Sequence, residues 1–313
     1  MQPRAPLPAT LRQMTGTRRA LRRAAAAMIG AFCAGAMAAA QPAEPAAEPI
    51  AEHPAPERVV SLNVCTDQLA MLLAAPDQLH AVSRLARDPR SSAMAEAAQD
   101  YRVTSGQAEE VYLMRPDLVL AGSYTTRHTV DLLRRLGIRV EEFAPARGFD
   151  DVAQNLRRVG AALGRPEAGA AAAERFEDDL AALRDDLARS PRAALYYANS
   201  YSAGDRTLAG RILQAAGLRN VATEAGLRAG GTLPLEQLIM LSPDLVVTGA
   251  PYPGAARSEE VLTHPALTAF AERHRRSAIS DADWVCGTPH VLRAVDRLRA
   301  ARDAAISAGE DAP

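Results

Sequence analysis

The pattern of apolar and polar positions repeats once in each half of this chain. Residues 109–122 read EEVYLMRPDLVLAG and residues 236–249 read EQLIMLSPDLVVTG, so Glu, Pro, Asp, Leu, Val and Gly recur at the same places without a gap. Each copy predicts a short helix, a break at Pro-Asp and a buried strand that ends at Gly. A repeat this far apart indicates two lobes of similar construction, with the functional site placed between them.

The strands predicted by this pattern are continuous apolar runs, which is typical of parallel strands covered on both faces. In the two copies the runs are Asp117–Ala121 and Asp244–Thr248. Further strands are predicted at Arg58–Leu62, Arg139–Phe143, Ala193–Ala198 and Ser277–Ser280. Helices are predicted from a cap at Thr66, over Thr129–Leu136 with Gly137 as the stop, and over Leu208–Ala216, Leu235–Leu241 and Val291–Arg302. Because strands and helices alternate, the predicted fold class is α/β.

A long helical stretch separates the two predicted lobes. One helix covers Phe149–Leu163, and a second follows the break at Gly164-Arg-Pro166 and continues to Ala188. The second carries a narrow apolar stripe of Phe176, Leu180, Leu183 and Leu187. A coiled-coil dimer could show the same stripe, but three turns are too few to indicate one. We therefore interpret residues 166–190 as a rigid strut between an N-terminal lobe, 58–165, and a C-terminal lobe, 191–307.

The N-terminus has the features of an export signal. Residues 1–40 combine six arginines with an Ala-rich apolar run that is short for a membrane span and ends in an Ala-x-Ala-like cleavage site. Thr17–Leu21 also resembles a twin-arginine signal, so export by either the Sec or the twin-arginine route stays open. A bulky Phe precedes Cys33, which does not suit lipoprotein cleavage. We expect a soluble periplasmic protein, with residues 41–57 as a disordered lead-in rich in Ala, Pro and Glu.

The overall composition excludes some classes of partner. The chain has 313 residues, enough for two domains, and a formal net charge of −1. Arginine is abundant and lysine is absent, but no long basic stripe occurs. We therefore expect no nucleic-acid partner.

Several of these features occur together in one protein family. The strand at Arg58–Leu62, the doubled Glu-x6-Pro-Asp-Leu-Val phrase, the strut and the late Asp283-Trp284 resemble the substrate-binding proteins of ABC importers for iron–siderophore complexes and vitamin B12. The likeness runs from about Arg58 to Arg302. It implies two Rossmann-like lobes joined by a single long α-helix, with the ligand in the cleft between them and only slight closure.

The resemblance also implies a role in transport. The expected ligand is an iron- or cobalt-containing chelate that is carried rather than permanently bound. The expected partner is the permease of an ABC importer at the inner membrane, and the binding protein is expected to be a monomer. The sequence does not choose among cobalamin, hydroxamate and catecholate siderophores, and haem.

Two glutamates gain a role from the resemblance. In the family, one exposed Glu on each lobe docks onto arginines of the permease, and by register these positions are Glu109 and Glu236, each seven residues before its Pro. Alternatively, each Glu only stabilises the start of its helix, where carboxylates are favoured. Glu110 adjoins Glu109, so the choice within that pair stays open.

The ligand is expected at the carboxyl ends of the parallel strands. The scarce aromatic residues gather there, and flat rings with a polar tip suit the face of a corrin or a catecholate. Arginine there could pair with an anionic chelate, although some of these aromatic side chains could instead pack under loops. The candidate ligand-binding residues are Asn63, Cys65, Thr66, Arg84, Tyr124, Arg127, Tyr201, Tyr252, Trp284 and Cys286.

The two cysteines that follow the signal peptide fall in segments expected at the mouth of the cleft, but on opposite lobes. A disulfide between Cys65 and Cys286 is usual in an oxidising compartment, yet it would lock the cleft. We expect free thiols that line the site. A disulfide and ligation of a metal or haem-like cofactor, with His290 or His128 nearby, stay open as alternatives.

Other functions find little support in the motifs. The histidines do not cluster and close Cys or His spacing is absent, so no dedicated metal site is expected and a bare-metal carrier is the weaker interpretation. The chain contains no Gly-x-Ser-x-Gly, no phosphate-binding loop with Lys, no Gly-x-Gly-x-x-Gly and no His-Glu-x-x-His. An exported two-lobed enzyme remains the alternative from another class, but no catalytic residue can be named for it.

Overall fold

The computed structural model describes residues 54–183, 185, 189–250 and 256–310, and it gives no side-chain description for 272, 273 and 308–310. The predicted signal peptide and most of the predicted lead-in lie outside the described residues. In the described part, no helix is both long and apolar enough to cross a membrane.

The first half of the described chain forms a parallel five-stranded sheet with helices on both faces. Its strand order is β3-β2-β1-β4-β5. The strands are β1 Val59–Ser61, β2 Leu79–Ser83, β3 Arg102–Thr104, β4 Leu118–Gly122 and β5 Arg139–Phe143. The helices are α1 Val64–Leu73, α2 Ala108–Leu113, α3 Arg127–Arg135, α4 Phe149–Ala162 and α5 Pro166–Ala182.

The second half repeats this architecture with a smaller sheet. The strands are β6 Arg192–Leu195, β7 Tyr201–Ser202, β8 Arg219–Asn220, β9 Gly231–Thr232, β10 Leu245–Gly249 and β11 Arg275–Ile279. The helices are α6 Leu208–Ala215, α7 Val221–Glu224, α8 Leu235–Leu241, α9 Pro265–Arg273, α10 Asp281–Trp284 and α11 Val291–Glu310. The parallel sheet has the order β11-β10-β6-β8, and β7 and β9 form a separate antiparallel pair. The predicted α/β class with parallel sheets is confirmed.

The two copies of the repeated phrase fold alike down to the backbone. In each copy a short helix, α2 or α8, ends just before a residue with positive φ, Arg115 at 52° and Ser242 at 45°. This left-handed residue stands directly before the Pro of the phrase, where the chain turns from the helix towards the strand. β4 and β10 are then interior strands of their sheets, with all of Leu118–Gly122 buried in the first and residues 245–248 buried in the second.

The aspartate of each phrase binds the start of the neighbouring strand. Asp117 accepts hydrogen bonds from the backbone N–H groups of Glu57 (2.7 Å) and Arg58 (3.0 Å) just before β1. Asp244 accepts one from the N–H of Arg192 (2.8 Å) at the start of β6. The repeated Pro-Asp therefore does more than end a helix, because its carboxylate satisfies backbone donors that a strand end leaves unpaired.

The helical region between the sheets is a pair of closely packed helices. Gly160 of α4 faces Gly169 of α5 so closely that a Cβ added at Gly160 would lie 2.6 Å from the Gly169 Cα. Gly164, with φ +70°, allows the turn between the helices. α5 ends at Ala182, so the prediction of a helix reaching Ala188 was too long.

The predicted apolar stripe of α5 faces the core. Phe176 and Leu180 are buried, and Leu183 packs against them at the end of the helix. Leu187 lies outside the described residues. The same apolar cluster includes Val59 and Leu120 of the first sheet together with inward-facing residues of the second, among them Leu195 and Val247. The inner faces of the two sheets therefore share one continuous core.

The ends of several elements differ from the predictions. α1 begins at Val64 rather than after Thr66, because the Asn63 side chain caps it by accepting from the Cys65 N–H at 2.9 Å. The Thr66 hydroxyl instead donates to the Asn63 carbonyl and bonds Ser61. β6 ends at Leu195, short of Ala198, and α11 continues beyond Arg302 to Glu310.

Candidate ligand-binding cleft

An apolar cavity of about 290 Å³ lies at the carboxyl ends of β1, β4 and β5. Its walls come from the residues directly after those strands, from the first turns of α1 and from two residues beyond α10 in the second half of the chain. They include Asn63, Thr66, Leu69, Gly122, Tyr124, Phe143, Pro145, Val285 and Gly287. Because parallel strands end on one edge of the sheet, residues distant in sequence meet there. The cavity thus lies between the two lobes.

A disulfide between Cys65 and Cys286 closes one side of this cavity. The Cα atoms lie 5.0 Å apart, although the residues are 221 positions apart in the sequence. The expectation of free thiols was therefore wrong, and a thiolate of either residue is not available to a metal. The bond joins the first turn of α1 in the first lobe to the segment after α10 in the second.

The segment around the disulfide is also packed tightly against the first lobe. A Cβ added to Gly287 would lie 2.3 Å from the Ala146 Cβ and 3.4 Å from a methyl carbon of Val152. Only a glycine fits at position 287, because the backbone there lies so close to Ala146. Val285 leaves the core here and contributes to the cavity wall.

Two further cavities extend the apolar cavity along the start of α4. The first, of about 310 Å³, shares Tyr124, Pro145 and Asn155 with it. The second, of about 450 Å³, continues from Arg147 and Asp151 to residues of the second lobe near α6. Together the three form a groove, which we call the interlobe groove, with an apolar end at the disulfide and a polar end at α6.

The polar end of the interlobe groove is rich in arginine. Arg147 comes from the first lobe, and Arg206 and Arg211 come from the second. All three are exposed, and no ion pair involves them in the part of the chain that the structure describes. Two carboxylates, Asp150 and Asp151, lie among the three arginines, and one oxygen of Asp151 accepts the backbone N–H of Arg147 at 2.6 Å. This end of the groove therefore offers guanidinium groups to an anionic ligand.

A separate cavity of about 240 Å³ lies beyond Asn63, where β1, β2 and β3 end. Arg84 lines it. Below it, the buried carboxylate of Asp67 accepts from the Ser83 hydroxyl (2.5 Å) and the Ser83 backbone N–H (3.2 Å). Burial raises the pKa of Asp67 to about 6, and hydrogen bonds with Ser61 and Ser83 act in the opposite direction.

The structure brings together four of the predicted site residues in one cavity. Asn63, Cys65, Thr66 and Tyr124 all line the apolar end of the interlobe groove, and Cys286 stands behind the wall in the disulfide. Arg84 lies in the neighbouring cavity. Arg127 starts α3 with an exposed side chain and lies outside the groove.

The aromatic candidates have different surroundings. Tyr124 is 86% exposed at the groove. Trp284 is only 5% exposed, belongs to the core, and has its ring 5.4 Å from that of Tyr197. Tyr201 lies half exposed on β7, away from the groove walls. Tyr252 lies outside the described residues. Trp284 therefore packs inside the fold, which is the alternative that the sequence left open for some of the aromatic candidates.

Other residues of the groove were missed from the sequence. Phe143 ends the predicted strand β5, and Pro145 and Arg147 follow it, so the strand-end rule applied to that strand would have found them. Arg206 and Arg211 precede and occupy α6, and nothing in their local pattern marks them. Among the described residues, no three His, Cys, Asp or Glu side chains are grouped closely enough to hold a metal ion.

The candidate docking glutamates lie on the surface. Glu109 and Glu236 are exposed in the first turns of α2 and α8. Glu110 is different, because its carboxylate accepts the backbone N–H of Ser105 at 2.8 Å and also bonds the Ser105 hydroxyl. These hydrogen bonds lower the pKa of Glu110. Within the pair, Glu109 is the carboxylate left open to a partner.

The family of periplasmic binding proteins matches residues 59–281 of this chain. The chain belongs to the periplasmic binding protein family. Its match runs from β1 to the start of α10, and so it contains both sheets, the helices between them and most of the interlobe groove.

Several named proteins are similar to this chain over more than half of its length. The cobalamin-binding protein of Halobacterium salinarum is 33% identical over 205 residues, which are 62% of this chain and 54% of that protein, so the chain matches about half the length of this relative. The vitamin B12-binding protein of Yersinia pestis is 27% identical over 198 residues, 62% of this chain and 69% of that protein. Among solved structures, the periplasmic heme-binding protein RhuT of Roseiflexus sp. RS-1 in its apo form has a TM-score of 0.66 at 25% identity, with 80% of this chain and 99% of that chain covered.

Proposed function

We propose that this periplasmic binding protein captures an iron- or cobalt-containing chelate and delivers it to an ABC importer. The observation that carries the proposal is the interlobe groove, which has an apolar end and an arginine-rich end at the edge where parallel strands terminate. Ligand pockets are typically apolar with a few convergent polar groups, and a large ring system with polar substituents needs that combination.

The names of the relatives support a ring-shaped chelate as cargo. Two relatives are named for cobalamin or vitamin B12, and the structural neighbour is named for haem. Both ligands present a broad face that could lie against Tyr124, Phe143 and Pro145. Of the other candidates, we propose that Arg84 contacts the ligand from the neighbouring cavity, whereas Tyr252 stays a prediction from the sequence.

The arginines favour a chelate that carries negative charge. Haem has two carboxylates and ferric catecholates are anionic, whereas cobalamin has mostly uncharged amide side chains. Three guanidinium groups at one end of the groove, from both lobes, would pair with carboxylates. We therefore place an anionic chelate before cobalamin, which is the second candidate because of the names of the relatives.

Location and delivery complete the proposal. Residues 1–40 would direct export to the periplasm by the Sec or the twin-arginine route, without a lipid anchor. Glu109 and Glu236 would bind arginines of the permease, and α5 would act as the stiff connection that limits closure. The protein would act as a monomer without a permanent cofactor. The relatives named above are binding proteins, and we propose no catalytic role.

The test is a ligand panel titrated into the purified mature protein. Haemin, cobalamin, one ferric hydroxamate and one ferric catecholate are followed by calorimetry and by the emission of Trp284, the only tryptophan. Because Trp284 is adjacent to Val285 in the groove wall, a chelate that absorbs in the emission range should quench it. Binding of one chelate with a stoichiometric end point supports the proposal. If none of the four binds by calorimetry, the ligand class is wrong.

A further inference from the structure

The outer faces of α2 and α8 carry the same pair of residue types. Leu113 is 79% exposed and Met240 is 84% exposed, and each lies four residues after the exposed glutamate of its helix, Glu109 or Glu236. Residues four apart lie one above the other on a helix. Each lobe therefore presents a carboxylate and a large apolar side chain side by side.

The inner faces of the two helices explain why these side chains point outwards. Ala108 and Val111 of α2 are buried, and so are the matching Leu235 and Leu238 of α8. The core takes the positions at i and i+3, which leaves the glutamate and the apolar residue on the opposite side. Leu113 is the last residue of α2, and its exposure follows from its position opposite the buried residues Ala108 and Val111.

A single exposed leucine needs no explanation, since apolar side chains are common on protein surfaces. Here, however, three large apolar side chains of the described chain exceed three-quarters exposure. One is Tyr124 at the interlobe groove. The other two, Leu113 and Met240, occupy the same position of the repeated phrase, 127 residues apart. Independent scatter would not place the pair in register.

We propose that Leu113 and Met240 are the apolar half of the docking surface for the permease, and that each inserts into the same apolar depression on one of two like permease subunits. The inference rests on the proposed function, because it assumes delivery to an importer. Two equivalent patches on two similar lobes fit a partner that presents one surface twice. In each patch the glutamate would orient the complex and the apolar residue would add contact area that salt does not screen.

The first experiment asks what covers each patch. A photo-crosslinking amino acid replaces Leu113, Met240 or, as a control, Leu136, which is 44% exposed at the end of α3. The full chain is expressed in its own host, the cells are irradiated, and adducts are identified by mass spectrometry. We expect positions 113 and 240 to give the same integral membrane permease subunit and position 136 to give none. Adducts with lipid, with a second copy of this chain or with different proteins at the two positions would overturn the proposal, and so would the absence of adducts.

The second experiment separates the apolar contact from the charge contact. The affinity for that permease complex in nanodiscs is measured from low to high salt for wild type, for Leu113→Ser with Met240→Ser, and for Glu109→Gln with Glu236→Gln. The apolar pair should weaken docking roughly tenfold or more with an unchanged salt dependence, because buried apolar area is lost. The glutamate pair should weaken docking and flatten its salt dependence.

The outcomes distinguish this inference from the proposed function. If the glutamate variants weaken docking and the Leu113 and Met240 variants do not, the apolar contact is wrong and delivery to the importer stands. If neither pair changes docking, both fail. Thermal melting and titration with haemin and cobalamin should be unchanged in the apolar variants, because these residues lie outside the core and outside the interlobe groove.

Discussion

The sulfur atoms of Cys65 and Cys286 are bonded, so the first turn of α1 is covalently tied to the segment that follows α10. The bond closes a loop across most of the described chain and stands at the wall of the apolar end of the interlobe groove. It does not lie at a hinge between freely moving domains. The inner faces of the two sheets already share a core, and Gly287 packs against Ala146. The disulfide therefore adds a covalent link between two segments that packing already holds together.

Removal of the disulfide should lower stability by up to about 5 kcal/mol, because closing so long a loop restricts the unfolded chain. The change is Cys65→Ser with Cys286→Ser, measured by urea unfolding with and without reductant. Wild type in reductant should match the variant, and the variant should not respond to reductant. Equal midpoints for oxidised and reduced wild type would contradict this expectation.

Loss of the bond should also loosen the groove locally. Hydrogen exchange of residues 285–290 should become faster in the reduced protein, whereas exchange in β4 and β10 should hold to the level set by global stability. If the segment exchanges equally in both states, then the packing of Gly287 on the first lobe holds it alone, and the disulfide has no role in shaping the groove.

Local patterning predicted the fold well because burial on both faces leaves a continuous apolar run, as at β4 and β10, and helix stops such as Gly137 act within a few residues. It failed where a feature depends on contacts between residues that are far apart in the sequence. Nothing near Cys65 indicates that Cys286 lies 5.0 Å away between Cα atoms, and nothing near Trp284 indicates that Tyr197 packs on it. For the same reason, groove residues of the second lobe such as Arg206 belong to no local motif.

The repeated aspartates should contribute to stability through the backbone donors they bind. Asp117→Ala should cost about 1 kcal/mol, since the residue is exposed, and Asp244→Ala up to about 2 kcal/mol because it is partly buried. Asn at either position keeps an acceptor and should recover most of the loss. Urea unfolding measures both series. If the Ala and Asn variants of Asp244 are equally stable, the bond to the Arg192 N–H does not matter.

The contact between α4 and α5 should reverse the usual effect of a helical Gly-to-Ala change. Alanine normally stabilises a helix by about 1 kcal/mol relative to glycine. In Gly160→Ala, however, the new methyl would lie 2.6 Å from the Gly169 Cα and 2.8 Å from the Arg165 carbonyl oxygen. Overpacking of this kind costs about 1–3 kcal/mol, so we expect a net loss. Glu174→Ala on the exposed face of α5 is the control and should change the midpoint of thermal unfolding little. A stabilised Gly160→Ala would show that the helices can separate without cost.

The buried carboxyl of Asp67 should make stability fall as pH rises from about 4 to about 6. Its pKa is about 6 in the folded protein against 3.8 for the unfolded group, so the folded state holds the proton more tightly. This contribution is fully present below pH 3.8 and is lost through pH 6, by on the order of 3 kcal/mol. Asp67→Asn stays neutral and should lack the fall, whereas exposed Asp178→Asn should follow wild type. Urea unfolding at pH 4, 5, 6 and 7 tests this, and parallel curves for wild type and Asp67→Asn would exclude it.

The arginines of the second lobe should decide which chelates bind. Arg206→Glu with Arg211→Glu would place carboxylates where the interlobe groove now offers guanidinium groups. A lost charge-assisted hydrogen bond at a partly exposed site weakens binding by roughly three- to tenfold, and reversal of the charge adds repulsion. Haemin affinity should therefore fall by more than tenfold, with a weaker salt dependence, while cobalamin affinity changes little. Arg135→Glu with Arg175→Glu, at exposed positions of α3 and α5, is the matched control for net charge. If haemin and cobalamin lose the same affinity, the variants have altered the approach of the lobes, and the preference for an anionic chelate is not due to these arginines.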